Sequence, residues 1–338
     1  MTILFPDTSS PGNGKGFFLQ LLEKTLKAHG AEIVHDDKYD VAFENIRFKH
    51  EYSKPVVLRL NGVYHNTAMN WEDKNASLAE SAKKAKLIIC QSSWGYRMVM
   101  KYLKVPPSKV TIILNGADLN AETTEPEYKH KHNFMAATVW RPHKRLVDII
   151  ESFLLADIRD SCLRIFGKLG KGMTEDVYKY RSNKVIFMEQ VKDRAVLLGH
   201  MKNSTALLHL CMTDCCPNSV VEAVSQGCHV VCSNEGGTPE IVYPSGGSVV
   251  EIDEPYNMEP IDLYNPPEID RGIVAEAMTK VAEMSHLIVQ DKPVIENAHV
   301  DINFIAEKYL EVFKRAVKSK MKNDPKVLSA MEKHASSI

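Results

Sequence analysis

No apolar run in this 338-residue chain approaches the ~18 residues needed to cross a bilayer, so nothing in it reads as a membrane span. Charge of one sign is lacking too. Lys plus Arg number 42 against 43 Asp plus Glu, a net charge of −1. Nothing global therefore argues for nucleic acid or an acidic polymer as partner, although local basic patches are not excluded. The opening, Met1-Thr-Ile-Leu-Phe-Pro6, has neither the charged n-region nor the long apolar core of a secretory signal. The expected compartment is the cytoplasm. No Asp-x-Asp pair, no Walker phosphate loop, no fixed-period repeat and no low-complexity stretch occurs. What is present, 44% hydrophobic and 25% charged residues, is globular composition, and the length suits about two domains.

Seven cysteines, an odd number, give no disulfide framework. Cys211, Cys215, Cys216, Cys228 and Cys232 cluster near His209 and His229, and C-x3-C occurs twice. A zinc site is one reading. The other is that these are small buried hydrophobes: Cys228 and Cys232 lie in an apolar strand run, Cys211 ends another, and no two-residue knuckle spacing is present. The second reading is preferred, and no metal is expected.

Short apolar runs alternate with helical patterns from end to end, which indicates α/β architecture with parallel sheets. Strands are expected at Thr2–Phe5, Tyr39–Glu44, Pro55–Leu60, Ala85–Gln91 and Lys109–Leu114, with helices at Phe17–Lys27 and Trp94–Leu103. Residues 118–133 are polar with almost no apolar spacing, a linker pattern. Strands then resume at Phe134–Val139, Cys162–Gly167, Lys184–Met188 and Ala206–Cys211, with helices at Leu146–Leu155 and Arg194–Asn203. The expected division is a first domain over 1–120, a linker over 121–133 and a second domain over 134–300. A long amphipathic helix over Asp301–Met321 follows. Its basic end, Lys314, Arg315, Lys318, Lys320 and Lys322, could touch anionic lipid headgroups. A solvated end complementing the helix dipole is the simpler reading.

The segment Thr213 to Val242, TDCCPNSVVEAVSQGCHVVCSNEGGTPEIV, carries the most chemistry. It reads as acidic loop, helix opening at Pro217, buried strand, glycine turn and second helix start. The helix N-terminus near Asn218, Ser219 and Val220 is an anion site, and Gly236 and Gly237 would admit a bulky ligand close to their backbone. Glu222 could accept both hydroxyls of a ribose and Asp214 a sugar hydroxyl. Two plainer readings compete. Ser219-Val-Val-Glu222 fits a capping box, and Asp214 also reads as an ordinary loop acid.

Asp214, Glu222, Gly236, Gly237 and Glu240 resemble the donor motif of the retaining family-4 glycosyltransferases: an acid, seven residues, Glu, an apolar strand, then Gly-Gly-x-x-Glu. Here Asp214 stands where that motif usually has Glu. The resemblance implies the GT-B fold, two Rossmann-like domains facing a cleft, with the C-terminal helix crossing back to the first. It gives Glu222 the ribose, the backbone around Asn218, Ser219 and Val220 the phosphate or sugar, and Asp214 the sugar hydroxyls. Lys144, Asp148 and Phe153 fit the family's Lys-x-x-x-Asp-x-x-x-x-Phe register. By resemblance, Arg141 and Lys144 stabilise the leaving diphosphate, which substitutes for a metal; the role of Arg145 stays open. Gly14 and Gly16, in the weak Gly12-x-Gly14-x-Gly16 pattern, border the donor phosphates. His65 is expected near the anomeric carbon, with Asn61 and Arg59 on the acceptor side. Gln91-Ser92-Ser93 and Asn115-Gly116-Ala117-Asp118 also match family positions and are expected to shape the site.

The implied activity is retaining transfer from a UDP- or GDP-sugar, with no cofactor, to an acceptor that is a glycan, a lipid carrier, a protein or a modified nucleic-acid base. A non-hydrolysing sugar-nucleotide epimerase and a non-catalytic sugar-nucleotide or glycan-binding module are the alternatives.

Overall fold

A computed structural model describes residues 1–5, 14–188, 191–288 and 294–321. The chain divides into two compact units. The first comprises residues 1–63, 72–113 and 303 onward, and the second residues 64–71 and 114–302.

In the first unit β1 (Thr2–Leu4), α1 (Gly14–Ala28), β2 (Glu32–Val34), β3 (Val41–Asn45) and β4 (Val56–Leu60) are followed by α2 (Trp71–Lys84), β5 (Leu87–Cys90), α3 (Ser93–Leu103) and β6 (Val110–Ile112). The strands form one parallel sheet in the order β2-β1-β3-β4-β5-β6. Central strands β4 and β5 are buried at every position, as a sheet covered on both faces requires. Ser92 caps α3 by accepting from the Gly95 N–H at 3.0 Å. Gly12 lies outside the described residues. Gly14 and Gly16 sit in the first turn of α1, not in a loop, because the helix starts ahead of Phe17.

The second unit holds β7 (His132–Ala137), α4 (Leu146–Ala156), β8 (Ser161–Phe166), β9 (Val185–Phe187), α5 (Arg194–Asn203) and β10 (Ala206–His209). It continues through α6 (Asn218–Ser225), β11 (Val230–Ser233), α7 (Pro239–Val242), β12 (Ser248–Val250) and α8 (Arg271–Ile288). Its sheet is also parallel, in the order β12-β11-β10-β7-β8-β9. The chain runs outward from β7 in one direction and restarts beside it at β10. Loops leaving the C-terminal ends of β7 and β10 therefore part, which opens a crevice at the switch point.

The final helix, α9 (Ile302–Met321), belongs from Asn303 onward to the first unit. Its Tyr309 and Phe313 rings pack edge-on against Phe43 of β3, at 5.8 and 5.6 Å between centroids. Of its basic residues, Lys314 and Lys318 are exposed, and Arg315 donates to Thr111 Oγ1 at 3.2 Å. The side chains of Lys320 and Lys322 lie outside the described residues.

The polar stretch read as a linker is docked on the second unit. Thr124 N–H donates to Ala195 O at 3.0 Å, Glu125 pairs with Lys202 at 3.0 Å, and the Tyr128 hydroxyl lies 2.8 Å from His200 Nδ1. The division between units falls earlier, between Ile113 and Leu114. Lack of apolar spacing marks a segment that adds little to the core, here Leu119 and Ala121 at its edge and the buried start of β7, and such a segment is still anchored when its polar groups find partners.

Candidate functional site

The site is built where β7, β8, β10 and β11 of the second unit end. The loop after β7 is fixed first. Trp140 is buried and its indole N–H donates to Phe166 O at 3.0 Å, while its backbone exchanges hydrogen bonds with Lys168 and Gly170 at 2.9 and 2.7 Å. Pro142-His143-Lys144 then makes one 3-10 turn, and Arg145 follows in the left-handed region at φ 54°. A non-glycine residue there is strained and needs anchoring. Arg145 is anchored by a fully buried ion pair with Glu235 from the loop after β11, and Glu235 also accepts from the Tyr256 N–H at 3.2 Å. The cation whose role was open in the sequence thus holds the turn that presents its neighbour.

That neighbour is Lys144. Its ammonium donates to Asp214 Oδ2 at 2.5 Å and also hydrogen-bonds Cys211. Burial favours the neutral amine, but the Asp214 charge outweighs it and the lysine pKa is raised. Burial likewise opposes charge on Asp214, and Lys144 overcomes it, bringing the carboxyl down to about 2. The other oxygen of Asp214 accepts from the Cys216 N–H at 3.3 Å, and its carbonyl accepts from the Gly237 N–H at 2.7 Å. Asp214 is therefore no solvated loop acid.

The glycine turn has a purpose the sequence did not reveal. Gly236 has φ 69°, and a Cβ there would lie 2.6 Å from Asp214 O. The close approach that demands glycine is to the Asp214 backbone.

Pro217 takes the cap position of α6, so the helix proper begins at Asn218. Asn115 aligns this start, donating to Cys216 O at 3.1 Å and to Asn218 Oδ1 at 2.7 Å. Val220 corrects the expectation for the phosphate-facing backbone. Its side chain is fully buried and its N–H donates to Pro217 O at 3.0 Å, so donors for an anion lie ahead of it, around Ser219. The capping box is also not formed. Ser219 lies inside the helix, and the Glu222 carboxylate is engaged by Arg194 of α5 at 2.7 Å. Burial raises the Glu222 pKa, with Arg194 opposing.

His65 sits in the 64–71 segment, which belongs to the second unit. Its carbonyl accepts from the Ile261 N–H at 2.9 Å, and its ring lies 5.5 Å from that of Tyr256. It also acts electrostatically on His143, a buried imidazole whose pKa burial and the neighbouring Lys144 and Arg141 push down to about 3. Arg141 is exposed at the mouth of the turn. Arg59 and Asn61 are hydrogen-bonded to each other within the first unit. The Arg59 guanidinium stands 4.7 Å over the Phe18 ring, and Gln91 donates to Asn61 Oδ1 at 2.6 Å. At 2% exposure Arg59 is an internal support.

The structure thus brings Lys144, Asp214, Gly236 and Gly237 into one cluster, with the start of α6 following from it through Cys216. It leaves Gly14, Gly16, Arg59 and Asn61 in the other unit. Arg194, Glu235 and Tyr256 are functional supports that sequence reasoning missed. Each partners a motif residue from far along the chain, and no local spacing announces it.

Comparison with known proteins fits this geometry. Residues 3–121 match the model described as Glycosyltransferase Family 4, and residues 131–258 match Glycosyl transferases group 1. A comparison with curated proteins gives no significant match. Among solved structures, HepE from Anabaena in complex with UDP superposes with a TM-score of 0.69 at 15% identity, covering 93% of this chain and 100% of that one. Sucrose-phosphate synthase from Thermosynechococcus elongatus gives 0.72 at 12% identity, covering 94% and 99%. WaaG, a glycosyltransferase involved in lipopolysaccharide biosynthesis, gives 0.62 at 12%, covering 93% and 99%. The architecture is the GT-B fold.

Proposed function

We propose that this GT-B glycosyltransferase moves a sugar from a nucleotide-diphosphate sugar to an acceptor with retention at the anomeric carbon. The observation that carries this reading is the Lys144–Asp214 pair at the switch point between β7 and β10, with the α6 N-terminus starting two residues beyond Cys216. An ammonium and a helix N-terminus there are what a departing diphosphate requires. Arg141, exposed at the same turn, supplies a second cation. Glu222, oriented by Arg194, accepts the ribose hydroxyls.

The bond from the anomeric carbon to the diphosphate oxygen breaks, and the bond to the acceptor oxygen forms on the same face. The acceptor proton passes to the leaving diphosphate. No protein nucleophile is needed, and no divalent ion is required because Lys144 and Arg141 neutralise the leaving group. Asp214 is held by Lys144 and Cys216, so its share in the sugar site is through one partly exposed carboxylate edge. His65, steadied by Tyr256, faces the sugar. The UDP bound by HepE supports UDP as the first donor base to test.

The test is thermal shift across UDP-, GDP- and ADP-sugars, since a ligand that binds the folded state raises the melting temperature. Transfer assays with the responding donor would follow. Lys144→Ala and Glu222→Ala proteins that remain folded should lose transfer, while chelator should leave the wild type unchanged. Undiminished turnover in either variant refutes the assignment.

A further inference from the structure

His209 ends β10, and Cys211 follows two residues later on the extended chain, so both side chains leave the same face. Asp214 folds back over them. One ligand atom from each of His209, Cys211 and Asp214 lies within 4.8 Å of the other two. Two of the three side chains are buried, with His209 5% and Cys211 1% exposed. Among the described residues His209 Nε2 has no hydrogen-bond partner. An unpartnered buried imidazole nitrogen is costly, and its position beside a thiol and a carboxylate is unexplained by the donor site. Imidazole, thiolate and carboxylate together form a set suited to zinc and unsuited to magnesium or calcium.

The space among these groups is entered by the Lys144 ammonium, which bonds Asp214 and Cys211. Lys144 is bonded to the carboxylate and the sulfur, and none of its hydrogen bonds among the described residues reaches His209 Nε2. A divalent soft cation would engage all three.

We propose that His209, Cys211 and Asp214 form an inhibitory zinc site in which Zn²⁺ and the Lys144 ammonium exclude each other. Zinc binding takes Cys211 as thiolate and releases its proton to solvent. Lys144 leaves Asp214 with its own proton retained. Three protein ligands are engaged, and water completes the tetrahedron. The inhibition rests on the proposed function, because it removes Lys144 and Asp214 from the diphosphate site. The binding does not rest on it.

The two parts are therefore measured separately, on the full chain. Co²⁺ titration followed by visible and near-ultraviolet absorption should show one tetrahedral site with a thiolate charge-transfer band. That band should vanish in Cys211→Ser. Affinity should fall in His209→Ala by at least the roughly 10- to 100-fold that even outer-shell partners contribute. Lys144→Ala should bind Co²⁺ more tightly than the wild type, since the competing cation is gone. A charge-transfer band that persists in Cys211→Ser assigns the metal to another cysteine and overturns the site. So does equal affinity in His209→Ala, or weaker binding in Lys144→Ala. In transfer assays, Zn²⁺ should inhibit the wild type reversibly with chelator, and His209→Ala should be active and resistant. Equal inhibition of both proteins overturns the proposal. Absence of turnover with every donor would count against the transferase reading, while the cobalt spectra would still decide the site.

Discussion

Three buried side chains govern how the site responds to change. Arg145 and Glu235 are a desolvated pair whose side chains are each 1% exposed. Removing one partner strands a buried charge at a cost of about 3–5 kcal/mol, whereas replacing both with apolar residues costs much less. Arg145→Ala and Glu235→Ala should each lower the urea midpoint sharply, and Arg145→Met/Glu235→Leu should recover much of the loss. A double variant no more stable than the singles would contradict this. His143 sets an acid limit. Its folded pKa, pushed down to about 3 from 6.5, means the unfolded chain binds a proton that the folded one refuses. Its stability contribution is complete above pH 6.5 and declines towards pH 3, by up to about 1.4 kcal/mol per pH unit. Urea midpoints at pH 7 and pH 5 test this, and His143→Gln should flatten the slope. Identical slopes would show that another group titrates. The helix start near Pro217 and the Gly-Gly turn were legible because helix starts and turns have local signatures, whereas Lys144 and Glu222 were singled out through the family resemblance. The tight bond between Lys144 and Asp214 was not legible, since it joins residues seventy positions apart across the switch point.

At the scale of elements, most strands and helices could be read within a residue or two, because parallel strands are near-continuous apolar runs. The exceptions have physical causes. In α2 the buried apolar stripe shrinks to Leu78 and Ala82, too narrow for periodicity to stand out. The stripe of α8 is fuller, with Val274, Met278, Val281 and Ala282 buried at helical spacing. The tethered segment before β7 shows the reverse problem, an ordered stretch with no apolar pattern. Its docking depends on Gly199 in α5, where a Cβ would lie 1.8 Å from Thr124 O. Gly199→Ala should push this segment off α5, at a cost of about 1–3 kcal/mol as for other overpacked positions. Limited proteolysis between Glu122 and Lys131 would report the release, and wild-type resistance in the variant would refute it.

For the whole molecule, the two-unit plan and the return of the last helix were both visible in the sequence, the second only through family resemblance. Its energetic weight is not visible there. Phe313 is fully buried against Phe43 and Tyr309, so Phe313→Ala should cost the first unit about 3–5 kcal/mol. Hydrogen exchange should then accelerate in β3 while β7 and β10 keep their protection. Uniform acceleration across both sheets would mean the chain unfolds as one body. The placement of α9 also has a consequence for biosynthesis. Domains usually mature in the order they leave the ribosome. Here Phe43 has Phe5 beside it at 5.1 Å, but the Tyr309 and Phe313 rings that complete its packing emerge with α9, after every strand of the second sheet has been made. The second unit can reach its native state while the first still waits, so this protein matures from its middle outward.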